Sequence, residues 1–577
     1  MPSGGGTRTL LDLVHSDLSL RCLSRRERVA LGAICLCTLA LLAALQYRRV
    51  FSGDEIGTLR CLKQSPTYIL THFHLWLSMN YFILVEKGVA WLCGAADWRL
   101  TLLPMAAAVA IIPLTASLAL KFTGSARTAL IAASLAAFNP YLVMWGPAIR
   151  AYSLLVAFSL VAINEFFNWA ARRDWWSGVR CAAAVVLLLL THLNGVYTVA
   201  FLILLLVAEA ISAGWSGGRK FLWESRTLWM PLAGAAVIVA IAYWRLLPDI
   251  ARIDREGGID TPPTSMAYLP QVFTTYMGFT FKTYMGFFFT TYMGINYASC
   301  LSALLLLAGC WSSAREKRAL FLLCGAIILG PILMSLQGVS VRVLGYARYL
   351  IFSLPLLLIL IAEGVDWFAR YVWVRRATIV AWSLTALIVA CWTPYIRWQF
   401  LVQETWPYGR VAKFLHTHMR KNDIIVAGWV IGFTLSQFFD DPQDRIVLPD
   451  TYVQKTANQL DVRLKGRLFY VTGPAILNGR SASIRRFGQA EVAIYRGDTT
   501  RALLKEWRED LLHRTAGRIY APFLNDYQLL ALLEERLPSG QSADHWRSLA
   551  ERCLAQYLAV SDVPRRHEKA TRAVIFP

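Results

Sequence analysis

Two adjacent carboxylates, Asp54 and Glu55, stand just beyond the first long apolar run of the chain, Val29–Leu45. A carboxylate there can take a proton from a hydroxyl that attacks a membrane-borne substrate. Adjacent residues on a strand or loop point apart, so one would act and the other would position substrate; together they can also hold a divalent cation. The ordinary alternative is a solvated pair in a loop. Arg150 and Tyr152 follow the third apolar run, and Arg348 and Tyr349 open the tenth. An arginine at a helix end can snorkel to the interface, but two of them on one face can also clamp a phosphate. His192, beside Thr191 and Asn194, is either a hydrogen-bonded structural residue or a contact to substrate or metal. His72 and His74 share a face if they lie on a strand, as a metal pair requires, and diverge on a helix. A metal site would need further ligands. His416 and His418 form a weaker pair in the tail.

The elements that must carry these residues are membrane spans. The chain has 577 residues, 56% hydrophobic and 16% charged, with a mean hydropathy of +0.44. Soluble domains carry about 25% charged residues, so the deficit, with many apolar runs near the membrane length, indicates an integral membrane protein. The net charge of +21 lies largely in short loops between runs, a pattern of topology and anionic lipid headgroups rather than of nucleic acid. The 21 Trp and 23 Tyr fit interfacial belts. The 11 Cys lie mostly in apolar runs with no Cys-x-x-Cys pair, as small helix residues do. The N-terminus lacks the small-x-small site of a cleaved signal peptide.

Eleven spans are expected: Val29–Leu45, Leu100–Leu120, Thr128–Trp145, Ala151–Ala170, Val179–His192, Gly195–Ala213, Trp229–Leu247, Ala298–Trp311, Ala319–Leu336, Arg348–Trp367 and Ala377–Pro394. The run from Cys181 to Ala213 is too long for one span and is split at His192-Leu193-Asn194-Gly195. Basic groups around Lys121 and Arg127, Arg172 to Arg180, Arg219 to Arg226, Arg315 to Arg318 and Arg370 to Arg376 then fall on one side with the N-terminus. The positive-inside rule makes that side cytoplasmic. The expected plan is a cytoplasmic stretch 1–28, a polytopic α-helical membrane domain 29–396 with outer loops 46–99 and 248–297, and a soluble extracytoplasmic α/β domain 397–577. Loop 46–99 reads as helices along the interface. Loop 248–297 holds three Thr-Tyr-Met-Gly copies at a period of eight residues, starting at Thr275, Thr283 and Thr291. In the tail the helices Gly409–Arg420, Arg501–Leu512 and Asp526–Leu537 and the strands Ile424–Ala427, Arg467–Thr472, Val492–Tyr495 and Ala573–Phe576 are expected.

In this order the pieces resemble the GT-C membrane glycosyltransferases, in particular the glycosyltransferase 39-like group of protein O-mannosyltransferases and aminoarabinose transferases. The resemblance rests on Gly53-Asp54-Glu55 after the first span and on His72-Phe73-His74-Leu75-Trp76 where the group has His-Pro-Pro-Leu-Tyr. It continues through Arg99-Leu100 to Pro104, Asn139-Pro140, Arg150-x-Tyr152-Ser153-Leu154, Thr191-His192 and Arg348-Tyr349-Leu350 with Pro355. It covers about residues 29–400 and departs from the group at the missing Pro-Pro and at Ala148, where many members carry Glu. It implies a GT-C-like fold and an inverting transferase. The sugar would move from a polyprenyl-phosphate donor to a lipid, glycan or protein acceptor at the outer face of a bacterial inner membrane. Asp54 would be the base, Glu55 a substrate or metal partner, and Arg150 and Arg348, with Tyr152 and Tyr349, phosphate-side groups. His72, His74 and His192 are the residues left for substrate or a divalent metal. A transporter or flippase would instead place charges deep in several spans and show inverted repeats; a non-catalytic assembly subunit would have a degenerate acidic and basic set.

Overall fold

The computed structural model of the protein describes residues 18–46, 53–72, 79–94, 97–212, 221, 223–248, 297–316, 347–405, 408–420 and 423–427, together with short stretches between 435 and 495 and residue 548. The chain divides into two compact units. The first comprises Met1–Arg48, Thr58–Ile253 and Thr264–Gln399; the second comprises Arg49–Gly57, Asp254–Pro263 and Phe400–Pro577.

The first unit is helical. Its long elements are α1 (Arg25–Gln46), α6 (Leu102–Thr123), α7 (Ala126–Phe138), α9 (Tyr152–Arg172), α10 (Trp175–Thr191), α11 (Gly195–Ser212), α12 (Arg226–Tyr243), α13 (Tyr297–Glu316), α14 (Leu354–Val372) and α15 (Ala377–Thr405). Shorter helices α2 (Gly53–Leu62, which crosses from the second unit), α3 (Pro66–Thr71), α4 (Asn80–Cys93), α5 (Asp97–Leu100) and α8 (Pro140–Trp145) fill the intervals. Six helices among the described residues are long and apolar enough to cross a membrane, which makes this an integral membrane protein. Four further helices carry shorter apolar segments, Ala126–Phe138, Trp175–Thr191, Gly195–Val207 and Leu301–Ala314. These ten helices fall on ten of the eleven expected runs; the run Ala319–Leu336 and the Thr-Tyr-Met-Gly copies lie outside the described residues.

Two expected spans take a different form. Thr128–Trp145 is broken into α7 and α8, because Pro140 has no N–H to continue the ladder. Asn139 caps the new helix, its Oδ1 accepting the Tyr141 and Leu142 amides at 3.0 and 3.2 Å. The run from Arg348 begins as a 3-10 turn, Ala347–Ser353, and becomes α-helical only at Leu354. The break at His192 is present: α10 ends at Thr191 and α11 begins at Gly195.

Close packing comes from small residues, as it must where lipid offers no hydrophobic drive between helices. A Cβ on Gly364 of α14 would lie 1.8 Å from the Leu305 carbonyl oxygen of α13, and one on Gly309 would lie 1.9 Å from that of Leu360. Gly178 of α10 meets the Thr227 carbonyl of α12 in the same way, at 1.8 Å. One end of α14 is fastened by charge. Asp366 and Glu363 are buried; Asp366 accepts from Arg127 of α7 and from Arg370 at 3.2 Å, and Glu363 accepts from Ser312 of α13 at 3.1 Å. Arg127 also reaches Thr378 of α15 at 3.2 Å. Arg127, which sequence marks only as a topology signal, thus joins α7 to α14 and α15, while Glu363 ties α14 to α13.

Among the described residues of the second unit, five strands form one mixed sheet in the order β2-β1-β3-β5-β4. They are β1 (Ile424–Ala427), β2 (Ile446–Val447), β3 (Leu468–Thr472), β4 (Ser483–Phe487) and β5 (Ala490–Tyr495). β1 runs parallel to β2 and β3, while β5 is antiparallel to β3 and β4. Helix α16 (Tyr408–His418) sets Val411, Ala412 and Leu415 in one core with Ile425, Ala427, Phe469, Val471 and Val492. Strands β1, β3 and β5 were legible as apolar runs. β4 was not, because Ser-Ile-Arg-Arg-Phe carries no apolar run. The expected elements beyond Tyr495 lie outside the described residues.

The glycine contact sets a test. Gly364→Ala forces α13 and α14 apart at a backbone–backbone contact and is expected to cost about 1–3 kcal/mol, read as a lower unfolding temperature of the detergent-solubilised protein. Gly234→Ala, where a Cβ meets nothing within 4 Å, is expected to leave that temperature unchanged.

Candidate active site

The start of α9 and the end of α10 lie together, since the two helices pack side by side and run in opposite directions. The segment Gly146–Ala151 turns the chain from α8 into α9. Gly146 is needed there for space, because a Cβ would come within 2.7 Å of the Leu42 side chain of α1. The Arg150 amide donates to the Ala148 carbonyl at 2.7 Å, and the Ala151 amide to Met79 Sδ at 3.4 Å.

This turn buries Arg150 to 4% exposure. Its Nη1 reaches Thr58 Oγ1 of α2 at 3.5 Å, and its guanidinium carbon lies 5.6 Å from the centre of the Tyr152 ring. Trp145 meets the fully buried Tyr152 ring edge-on at 4.7 Å. On a further side, His192 faces Tyr152 with ring centres 5.7 Å apart and planes 35° from parallel. The structure therefore gathers Arg150, Tyr152 and His192, three residues singled out from distant parts of the sequence.

His192 caps α10 in an extended conformation, and its Nδ1 accepts the Asn194 amide at 3.1 Å. The turn it begins is locked from behind: Tyr243 of α12 donates to the Leu189 carbonyl at 2.9 Å, and Tyr81 of α4 donates to the Ala242 carbonyl at 2.6 Å.

Asp54 and Glu55 sit in the first turn of α2, not on a strand or loop as expected. Their backbone positions are separated by about 100° around the helix axis. Glu55 is fully buried, which removes the solvated-loop reading for that residue. Thr58, three positions on, shares its side of the helix. The backbone of Arg348 and Tyr349 belongs to the 3-10 turn that packs against α9.

His72 is not brought to this cluster by any described contact. It is exposed at the end of α3, stacked on Tyr68 at 4.1 Å, with Nδ1 near the Tyr68 carbonyl at 3.2 Å and Thr71 Oγ1 at 2.9 Å. His74 lies outside the described residues. Among the described residues no group of three or more His, Cys, Asp or Glu side chains is gathered as a metal site.

Glu86 is a functional-looking group that the sequence alone does not single out. In α4 it lies on the buried stripe of Met79, Phe82 and Ile83, and that stripe packs on Ile69, Ala151 and Leu154. Glu86 is fully buried, and neither carboxylate oxygen has a hydrogen-bond partner among the described residues. Burial raises its pKa from the ordinary 4.5 to about 8. A charged residue at the i+7 position of an apolar helix stripe was the available signal. Burial likewise raises the Cys61 thiol to about 11, opposed by the positive charge of Arg150.

No protein-family model matches the chain, and no curated protein does. Among solved structures it is similar to ArnT from Cupriavidus metallidurans in the apo state, at 14% identity and a TM-score of 0.49, covering 82% of this chain and 98% of that one. Against the same protein bound to undecaprenyl phosphate the identity is 14% and the TM-score 0.45, over 80% and 97% of the two chains. The S. cerevisiae protein O-mannosyltransferase Pmt1-Pmt2 complex bound to the sugar donor matches at 15% identity and a TM-score of 0.32, over 39% of this chain and 34% of that one. At these identities and scores the likenesses establish neither the family nor the reaction of this chain.

The buried acid gives a pH prediction. With the folded pKa above the unfolded one, the contribution of Glu86 is fully present below about pH 4.5 and is lost as pH rises toward about 8. Glu86→Gln is expected to flatten the fall in stability over that window and to raise the unfolding temperature at pH 8 by a few degrees, roughly 1 kcal/mol or more. Equal unfolding temperatures of the two proteins at pH 8 would show that the acid costs the fold nothing when ionised.

Proposed function

We propose that the protein is a membrane glycosyltransferase of GT-C type that moves a sugar from a polyprenyl-phosphate donor to an acceptor hydroxyl at the outer face of the membrane. The observation that carries this reading is Arg150, a permanent cation buried at the end of an apolar helix and fixed in orientation by a ring and a hydroxyl. Such a group is suited to an anion that arrives from the bilayer, and a guanidinium matches phosphate in charge and shape. A prenyl chain keeps its donor in the membrane while the phosphate–sugar end reaches polar side chains, so no nucleotide-binding fold is required.

In this reading Asp54 takes the proton from the acceptor hydroxyl as it attacks the anomeric carbon, the bond to the donor phosphate breaks, and polyprenyl phosphate leaves. Attack from the face opposite the leaving group inverts the configuration. Glu55 binds substrate, or with Asp54 a divalent cation. Arg150 and Arg348, assisted by Tyr152 and Tyr349, stabilise the departing phosphate. The acceptor is a lipid, a glycan or a protein. The membrane is the bacterial inner membrane, and the tail from residue 397 is an α/β domain on its outer side, capping the membrane domain or recognising the acceptor.

Transfer from a panel of radiolabelled polyprenyl-phosphate sugars, in membranes containing the protein or its Asp54→Asn variant, tests the reading. One donor is expected to lose label only with the intact protein, with Asp54→Asn lowering the rate at least about 10²-fold while leaving the unfolding temperature and donor binding near normal. Asp54-independent label, or none from any donor with both proteins folded, would point to transport or to a non-catalytic subunit. Arg348→Ala is expected to weaken donor binding about tenfold; unchanged affinity removes Arg348 from the phosphate site.

A further inference from the structure

We infer that His192 is a positioning residue that sets the aim of Arg150 through the Tyr152 ring. The inference rests on the reading of Arg150 as a phosphate-side group.

Three observations carry it. The imidazole of His192 is buried and lies against the Tyr152 ring, 5.7 Å between centres, while Arg150 lies on Tyr152 at 5.6 Å. Tyr152 is thus a ring that Arg150, His192 and Trp145 all contact, Trp145 edge-on at 4.7 Å. Second, one ring nitrogen of His192 is already committed. Nδ1 accepts the Asn194 amide at 3.1 Å, which fixes the neutral tautomer with its proton on Nε2 and fixes the ring plane.

Third, the backbone under His192 is itself clamped. The Gly195 amide returns to the His192 carbonyl at 2.9 Å, and a Cβ on Gly195 would come within 2.6 Å of the Leu188 side chain. Tyr243 holds the preceding turn at the Leu189 carbonyl, and Tyr81 stacks edge-on to Tyr243 at 5.6 Å. A guanidinium on a long side chain has several rotors, and its phosphate geometry is useful only when they are fixed. The break between α10 and α11 supplies the fixed point, and His192 transmits it by ring contact.

The test is binding of undecaprenyl phosphate to the full-length protein in nanodiscs. It compares His192→Ala, His192→Phe, Arg150→Ala and the double variant His192→Ala/Arg150→Ala, with each unfolding temperature measured alongside. His192→Ala is expected to weaken binding about tenfold. His192→Phe keeps a ring against Tyr152 and is expected to restore affinity to within about threefold, which a lost metal or proton-transfer role would not allow. The double variant is expected to bind no more weakly than Arg150→Ala, because His192 acts through that residue. Should His192→Ala fail to fold, His192→Leu replaces it as the variant of similar bulk without a ring. Binding by His192→Phe as weak as by the Ala or Leu variant overturns the inference, as does an additive loss in the double variant. Loss on Arg150→Ala with none on His192→Ala overturns this inference alone, whereas no loss on Arg150→Ala overturns the phosphate reading and this inference with it.

Discussion

A guanidinium cannot shed its charge, so a protein that buries one must hold it against the whole cost of desolvation. Arg150 is such a group, and much of the described end of the helical unit is arranged around it. Leu42 of α1 packs on Gly146 in the turn that carries it; Met79, the residue before α4, accepts from the next amide. Tyr152 gives it a ring face, and Thr58 of α2 a hydroxyl. A lysine in that place could have become neutral by losing a proton and would have needed less support.

The parts of this arrangement that sequence revealed are those where a polar or backbone-breaking residue interrupts an apolar pattern. Pro140 lacks the N–H that would continue α7, and Gly195 opens α11 after the break at Thr191, so both interruptions are visible without a structure. Pro140 was nevertheless read through as part of one span, because apolar residues continue on both sides of it and hydropathy does not record a missing N–H. The split at His192 was legible because Asn194 and Gly195 are poor residues for the middle of a span. Thr58 and Tyr81 carried no sequence signal: a hydroxyl in a short helix matters only once folding brings Arg150 or the Ala242 carbonyl to it. The same holds for the Asp366, Arg127 and Arg370 group, where partners 239 residues apart in sequence meet at one helix end.

Packing follows a similar division. Helices between lipid and protein can be counted from composition, but their mutual approach depends on single glycines. Gly309 and Gly364 face each other across α13 and α14, and each occupies the space that a methyl group on the other helix would need. Leucine-rich runs hide such positions, because glycine in an apolar run scores as nothing in particular. Strand β4 in the second unit is hidden for the opposite reason: Ser-Ile-Arg-Arg-Phe carries no apolar run and reads as a loop.

Arg150 and Glu86 show how differently one region treats two charges. The stripe of α4 that carries Glu86 packs on Ala151 and Leu154, directly after Arg150 in the chain. Both groups are buried, yet the arginine keeps its charge by chemistry, while burial holds the carboxyl protonated up to about pH 8. An ionised Glu86 on that stripe would add a negative charge beside α9 and weaken the attraction of that helix end for an anion. As a neutral acid it adds none.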